Sequence, residues 1–175
     1  MLRKCDLIPL WLLGAASVFA IYAVTRHDDR PSDGLGNVRA LIALNNEMIR
    51  AHGRGDLAAA ERTARKILAQ PEWRTFVPAN AVMGSALAQK GEYAAAAAFF
   101  KAALSGGRGR AAPQPVVMND YADTLRHLGR YAEAEDFARR AIAASGGKVP
   151  LFKQTLDEIL NEAKTHKRNV KEKKT

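Results

Sequence analysis

The side chains that could do acid–base, nucleophilic or metal chemistry are few and scattered. The 175-residue chain holds four histidines, His27, His52, His127 and His166, and no two stand at metal-ligand spacing. Its one cysteine, Cys5, can form neither a thiolate metal site nor an internal disulfide. Asp120 and Asp123 share a helical face at i, i+3, and so do Glu133 and Asp136. Carboxylates at that spacing on an exposed helix are usually solvated, and a hydrolase pair needs a cleft around it. No nucleophile elbow, HExxH, Walker or dinucleotide fingerprint occurs. The GGRGR run at residues 106–110 lacks the strand before and the helix after that a phosphate-cradling loop requires. These residues argue against an enzyme and point to no cofactor and no metal.

The elements that would position any site are helical. Alanine is abundant, β-branched residues are few, and Pro and Gly cluster at joints, so the composition is all-α. The organising stretch is Gly84 to Leu104, GSALAQKGEYAAAAAFFKAAL, two apolar segments around the turn Lys90-Gly91-Glu92. Gly84 lies seven positions before the turn glycine and Tyr93 two after it, with Ala96, Phe100, Ala103 and Leu104 following at helical spacing. Two antiparallel helices joined by a tight turn account for this, with Gly91 where a helix must stop and small residues where the helices touch. The pattern recurs around Gly129, with Ala122, Tyr131, Ala134, Ala138, Ala141 and Ile142 in register, and around Gly55, with Leu57, Ala60, Ala64, Ile67 and Leu68. The turn glycines stand 36 and 38 residues apart.

A helix pair repeated at about 34 residues resembles the tetratricopeptide repeat, here from Val38 to Ala144. The family's small residue on the first helix matches Gly84 and Ala122, its aromatic after the turn Tyr93 and Tyr131, and its close-packing alanine Ala60, Ala96 and Ala134. The first unit departs from it at Met48 and Ile67, and the family's early tryptophan is absent from all three units. The resemblance implies an all-α solenoid of about three helix pairs, whose first helices line a concave groove. The matching groove positions are Ile42, Asn45 and Ile49, then Ala81, Ser85 and Ala88, then Val116, Asn119, Asp123 and Arg126. An extended or helical peptide of a protein partner would lie there, held by Asn119 and Arg126. The family's carboxylate-clamp variant does not match, because Asn45 is followed by Ile49 and Asn119 by Asp123. Asn37 is placed to cap the first helix and Asp56 the second, and Trp73 and Phe76 to fill the joint between units. A last helix from Pro150 to Ala163 has one apolar stripe and a polar back that includes Glu158 and Glu162, as expected of a capping helix.

The termini carry the rest. Leu7 to Val24 is 18 residues without a charge, flanked by Trp11 and Tyr22, and reads as a membrane anchor. The competing reading is a cleaved signal peptide with Val18-Phe19-Ala20 as its cleavage site. The anchor reading places residues 1–30 at a bacterial inner membrane, single-pass, and residues 31–163 in the periplasm. The signal-peptide reading gives a protein secreted to the periplasm. Residues 31–36 read as a flexible spacer, and Ser105 to Pro115 as a basic loop carrying Arg108 and Arg110. Net charge is +9, of which residues 164–175 supply +5, so the basicity belongs mostly to a tail that reads as disordered. Such a tail would attract anionic lipid or nucleic acid or simply solubilise the chain, with nucleic acid the weaker expectation. Two functions follow. One is a membrane-anchored interaction module. The other is a regulator or chaperone-like protein that meets an acidic surface through its tail.

Overall fold

The computed structural model describes residues 33–106 and 114–173. Seven α-helices follow one another, with no strand among the described residues: α1 Asp33–Gly53, α2 Leu57–Leu68, α3 Val77–Gln89, α4 Tyr93–Gly106, α5 Pro115–His127, α6 Tyr131–Ala144 and α7 Pro150–Glu172. A 3-10 turn, Pro71–Trp73, joins the first pair to the second. Each helix packs on its neighbours in the chain, and α1, α3, α5 and α7 also meet one another in that order. Three antiparallel pairs therefore stack, with their first helices side by side on one face and α7 closing the row.

The turns inside the pairs are alike because their backbones are alike. Gly55, Gly91 and Gly129 sit at φ of 75°, 78° and 70°, a region that side chains with a Cβ rarely adopt. In each turn the glycine N–H bonds the carbonyl three residues back and the next N–H bonds the carbonyl five back: Glu92 to Leu87 at 2.9 Å, Arg130 to Leu125 at 2.9 Å and Asp56 to Ala51 at 3.0 Å. This is the Schellman closure, which satisfies helix-end carbonyls while reversing the chain. Asp56 also accepts the Ala59 N–H at 3.0 Å and so caps α2 as expected. At the end of the third pair, Gly146 and Gly147 take positive φ and the Gly147 N–H bonds the Ile142 carbonyl at 2.8 Å.

One main core runs through the stack, from Leu41 and Met48 through Ile67, Met83, Phe100, Tyr121 and Leu125 to Ile159, with Trp73 and Phe76 packed against it at the joint. A second cluster of Met118, Ala141 and Phe152 seats α7 on the third pair. Gly84 is required by close approach: a Cβ there would stand 2.8 Å from the Phe100 ring. In repeat register Gly84 corresponds to Met48 and Ala122, and Phe100 to Ala64 and Ala138. Each unit thus pairs small with large, large with small, or small with small, all of them buried. In the first unit Met48 against Ala64 reverses the sizes of Gly84 against Phe100, an exchange that keeps the combined volume of those two pairs similar.

Two boundaries differ from the sequence reading. The first helix starts at Asp33, so Asn37 lies inside it and does not cap it. Residues 164–172, expected as a disordered tail, continue α7 to Glu172. Nothing in that segment breaks a helix, and His166 rests on the Tyr131 ring at 5.7 Å between centroids, which anchors the next turn. The third pair shows the closer counterpart, with His127 stacked on Tyr93 at 4.2 Å and 8°. Among the described residues no helix is long and apolar enough to cross a membrane. The Leu7 to Val24 anchor, Cys5, the residues before Asp33, and Arg108 and Arg110 lie outside the described residues.

Candidate protein-binding groove

The face shared by α1, α3, α5 and α7 carries two rows of side chains at equivalent positions. Asn45, Ala81 and Asn119 each stand three residues before the residue that packs the pair. Ile49, Ser85 and Asp123 stand one residue after it. The first row is deep: Asn45 and Asn119 are buried and Ala81 is half-buried. The second row is shallower, with Ser85 half-buried and Ile49 at 51% exposure. Ile42 and Ala88 are half-buried on the same helices, and Val116 is exposed at the start of α5.

Both deep asparagines have a side-chain oxygen, Oδ1, that is out of solvent contact and without a hydrogen-bond partner. A buried acceptor left unpaired costs about 1–3 kcal/mol. The contrast with Asn80 is instructive. It is as deeply buried on α3, yet its amide donates to the Arg74 and Phe76 carbonyls at 2.9 and 3.0 Å, holding the joint between units. Asn80 is a structural residue, whereas Asn45 and Asn119 keep acceptor capacity that the fold does not use.

At the third unit α7 walls the face and makes a cleft of about 320 Å³ lined by Asn119, Asp120, Asp123 and Arg126 from α5 and by Leu151, Gln154, Thr155 and Glu158 from α7. Arg126 bolts the two helices together. Its Nε and Nη2 donate to Asp123 Oδ1 at 2.9 and 2.7 Å, its Nη1 donates to Glu162, and its Nη2 lies 3.9 Å from Glu158. Burial opposes its charge, but the bonds to Asp123 and Glu162 outweigh this and raise its pKa above the ordinary value. The free donor expected at Arg126 is thus already engaged within the protein. Glu158 and Glu162, expected on a solvated back, face α5 instead.

Asp120 is the unusual group. Its carboxyl pKa is raised to about 6, first by burial and then by the neighbouring Asp123 charge, against a smaller opposing effect of the Asn119 and Ser85 side chains. Among the described residues no cation pairs with it, since Arg126 and His127 both turn to Asp123. Among the described residues that line it, the cleft therefore sets the carboxyls of Asp120, Asp123 and Glu158 against Arg126 and is net negative. Sequence reasoning placed Asp120 and Asp123 on one face but assigned both to water. The available signal was the repeat register, which sets position 120 beside the Asn119 row.

No group of His, Cys, Asp and Glu suited to a metal occurs among the described residues. The arrangement offers acceptors, small apolar floor positions and an acidic end, all in one continuous face. Such a face has the chemistry of recognition: acceptors for N–H donors, an apolar floor, and negative charge for a cation.

The family model for the tetratricopeptide repeat matches twice, over residues 77–105 and 117–146. Those spans are the α3–α4 and α5–α6 pairs, so the second and third units match the tetratricopeptide repeat within an all-α helical-repeat structure. Repeats of this family generally mediate protein–protein interaction and are typically non-catalytic. Comparison with curated proteins finds no match.

Proposed function

We propose that this chain is a scaffold or adaptor that binds an extended segment of a protein partner along the face of α1, α3, α5 and α7. The observation that carries this reading is the pair of buried, unpartnered oxygens of Asn45 and Asn119 at equivalent positions of that face. A strand-like peptide supplies N–H donors along its length, and the first and third repeats present acceptors at equivalent positions on either side of Ala81. Ile49, Ala81, Ser85 and Asp123 form the floor and outer row, and Arg126 holds the wall in place. Leu7 to Val24 anchors the module in a bacterial inner membrane with the repeats in the periplasm. Cleavage after that segment would leave the same module free there.

Photocrosslinking groups placed at Ser85 on the groove face and at Arg140 on the outer face of α6 test the site in cells. The reading expects a defined adduct from Ser85, weakened by an added Asn119→Ala substitution, and none from Arg140. An adduct from Arg140 alone would remove the groove from consideration.

A second reading has its own observation. Lys164, Lys167, Arg168 and Lys171 fall at i, i+3, i+4 and i+7 of α7, so helical order gathers the tail's charge into one exposed stripe. Such a stripe suits an anionic surface. Binding abolished by moderate salt and by removal of residues 164–175, but untouched by Asn119→Ala, would favour it.

A further inference from the structure

Four properties of the α5–α7 cleft converge on one kind of occupant. Asn119 Oδ1 is an acceptor with no donor, and its side chain is 95% buried, at 5% exposure, so it cannot turn to bulk water. Asp120 is a partly buried carboxyl with no cation beside it among the described residues. Arg126, which lines the cleft, is already shared among Asp123, Glu162 and Glu158. Leu151, 57% exposed, gives the same cleft an apolar edge.

We infer that this cleft is a receptor for a basic side chain, an arginine or lysine in the partner's extended segment. The cation stands between Asp120 and Glu158 and one of its N–H groups donates to Asn119 Oδ1. The aliphatic stem lies on Leu151, as long basic side chains cover apolar surface while their heads meet charge. An anionic or neutral occupant fits less well. An acidic side chain would add a negative charge to a cleft already lined by three carboxylates, Asp120, Asp123 and Glu158, and one guanidinium. Water could satisfy the asparagine oxygen but would leave Asp120 without a counter-charge. Arginine has the better geometry of the two, because its planar fork can donate to a carboxylate and to a neighbouring amide oxygen at once.

The inference rests on the reading of this face as the binding groove, and the test separates the two. The probes are three blocked hexapeptides, acetyl-ATARTA-amide and its counterparts with Gln or Glu in place of the central Arg. Each is titrated into the isotopically labelled full chain, with the Asn119 side-chain amide and the α3 and α5 backbone amides followed by NMR. The arginine peptide is expected to shift the Asn119 side-chain amide saturably, at least tenfold more tightly than the glutamine peptide, with no response to the glutamate peptide. Asp120→Asn, a near-isosteric change, is expected to erase that preference. Equal binding of all three peptides along α3 and α5 would overturn the basic receptor and leave the groove standing. Shifts confined to other surfaces, or no saturable shift, would overturn the receptor, and the former would count against the groove as well. An arginine preference that survives Asp120→Asn would also overturn it.

Discussion

Replacing Asp120 by Asn is expected to stabilise the protein at neutral pH. The carboxyl titrates at about 6 in the folded state against 3.8 for the ordinary group, chiefly because burial disfavours its charge. The native state therefore holds this proton more tightly than the unfolded chain does. Below about pH 4 both states are protonated and the group contributes nothing. Between about pH 4 and 6 the unfolded chain loses the proton first, so native stability falls as pH rises. Above about pH 6 the loss is complete, and the shift converts to at most about 3 kcal/mol. Asp120 keeps some contact with solvent, and relaxation around it lowers this to about 1–2 kcal/mol. Asparagine abolishes the titration, and its amide can donate to the orphaned Asn119 oxygen. The assay is urea unfolding of the purified full chain and the Asp120→Asn variant, followed by circular dichroism at half-unit steps from pH 3.5 to 7.5. The difference between the two should open with rising pH in the variant's favour and level off above about pH 6.5. A difference that stays flat across this range, or a variant less stable at pH 7, would show that Asp120 is not held at a cost. The acidic receptor would then lose its electrostatic support.

Three further outcomes follow from the same geometry. Gly84→Ala places a Cβ 2.8 Å from the Phe100 ring, and overpacking of that kind costs about 1–3 kcal/mol against a helix-propensity gain of about 1 kcal/mol. Its melting temperature should drop, and adding Phe100→Leu should recover part of the loss; a variant as stable as the parent would refute the size pairing. Gly91→Ala meets no neighbour within 4 Å, so its cost is backbone strain alone at φ 78°, about 1–2 kcal/mol, and Gly55→Ala and Gly129→Ala should match it in thermal denaturation. Arg126→Met unbolts α5 from α7. Its partners Asp123 and Glu162 are each more than a third exposed, so solvent screening limits the loss to about 1 kcal/mol. Amide exchange in α7 should rise, and the gap from the parent should narrow in high salt, which screens the parent's ion pairs.

The division between sequence and tertiary structure runs along a physical line. Turn positions, repeat period and helix pairing were legible because each depends on local chemistry. Gly55, Gly91 and Gly129 meet a backbone requirement that few other residues satisfy, and alanines at Ala60, Ala96 and Ala134 leave room wherever a partner helix lies. The two rows of groove positions followed from that register. What surrounds each side chain was not legible, because it depends on residues far along the chain. Met48 departs from the repeat pattern, and only the stacked pair shows that it lies at the register of Gly84, opposite the small Ala64. Glu158 and Glu162 looked solvated until α7 turned them toward Arg126, some thirty-odd positions earlier in the chain. The tail looked disordered by composition, yet residues 164–172 extend a helix whose start is fixed by the packing of Phe152 and Ile159. Most plainly, nothing in the string of letters distinguishes Asp120 from Asp123. Only the packing of α3 and α7 around α5 leaves one carboxyl paired with Arg126 and the other partly buried beside an unsatisfied asparagine. Local backbone chemistry wrote the repeat, and desolvation, which only the assembled stack can impose, decided which of its carboxyls is buried.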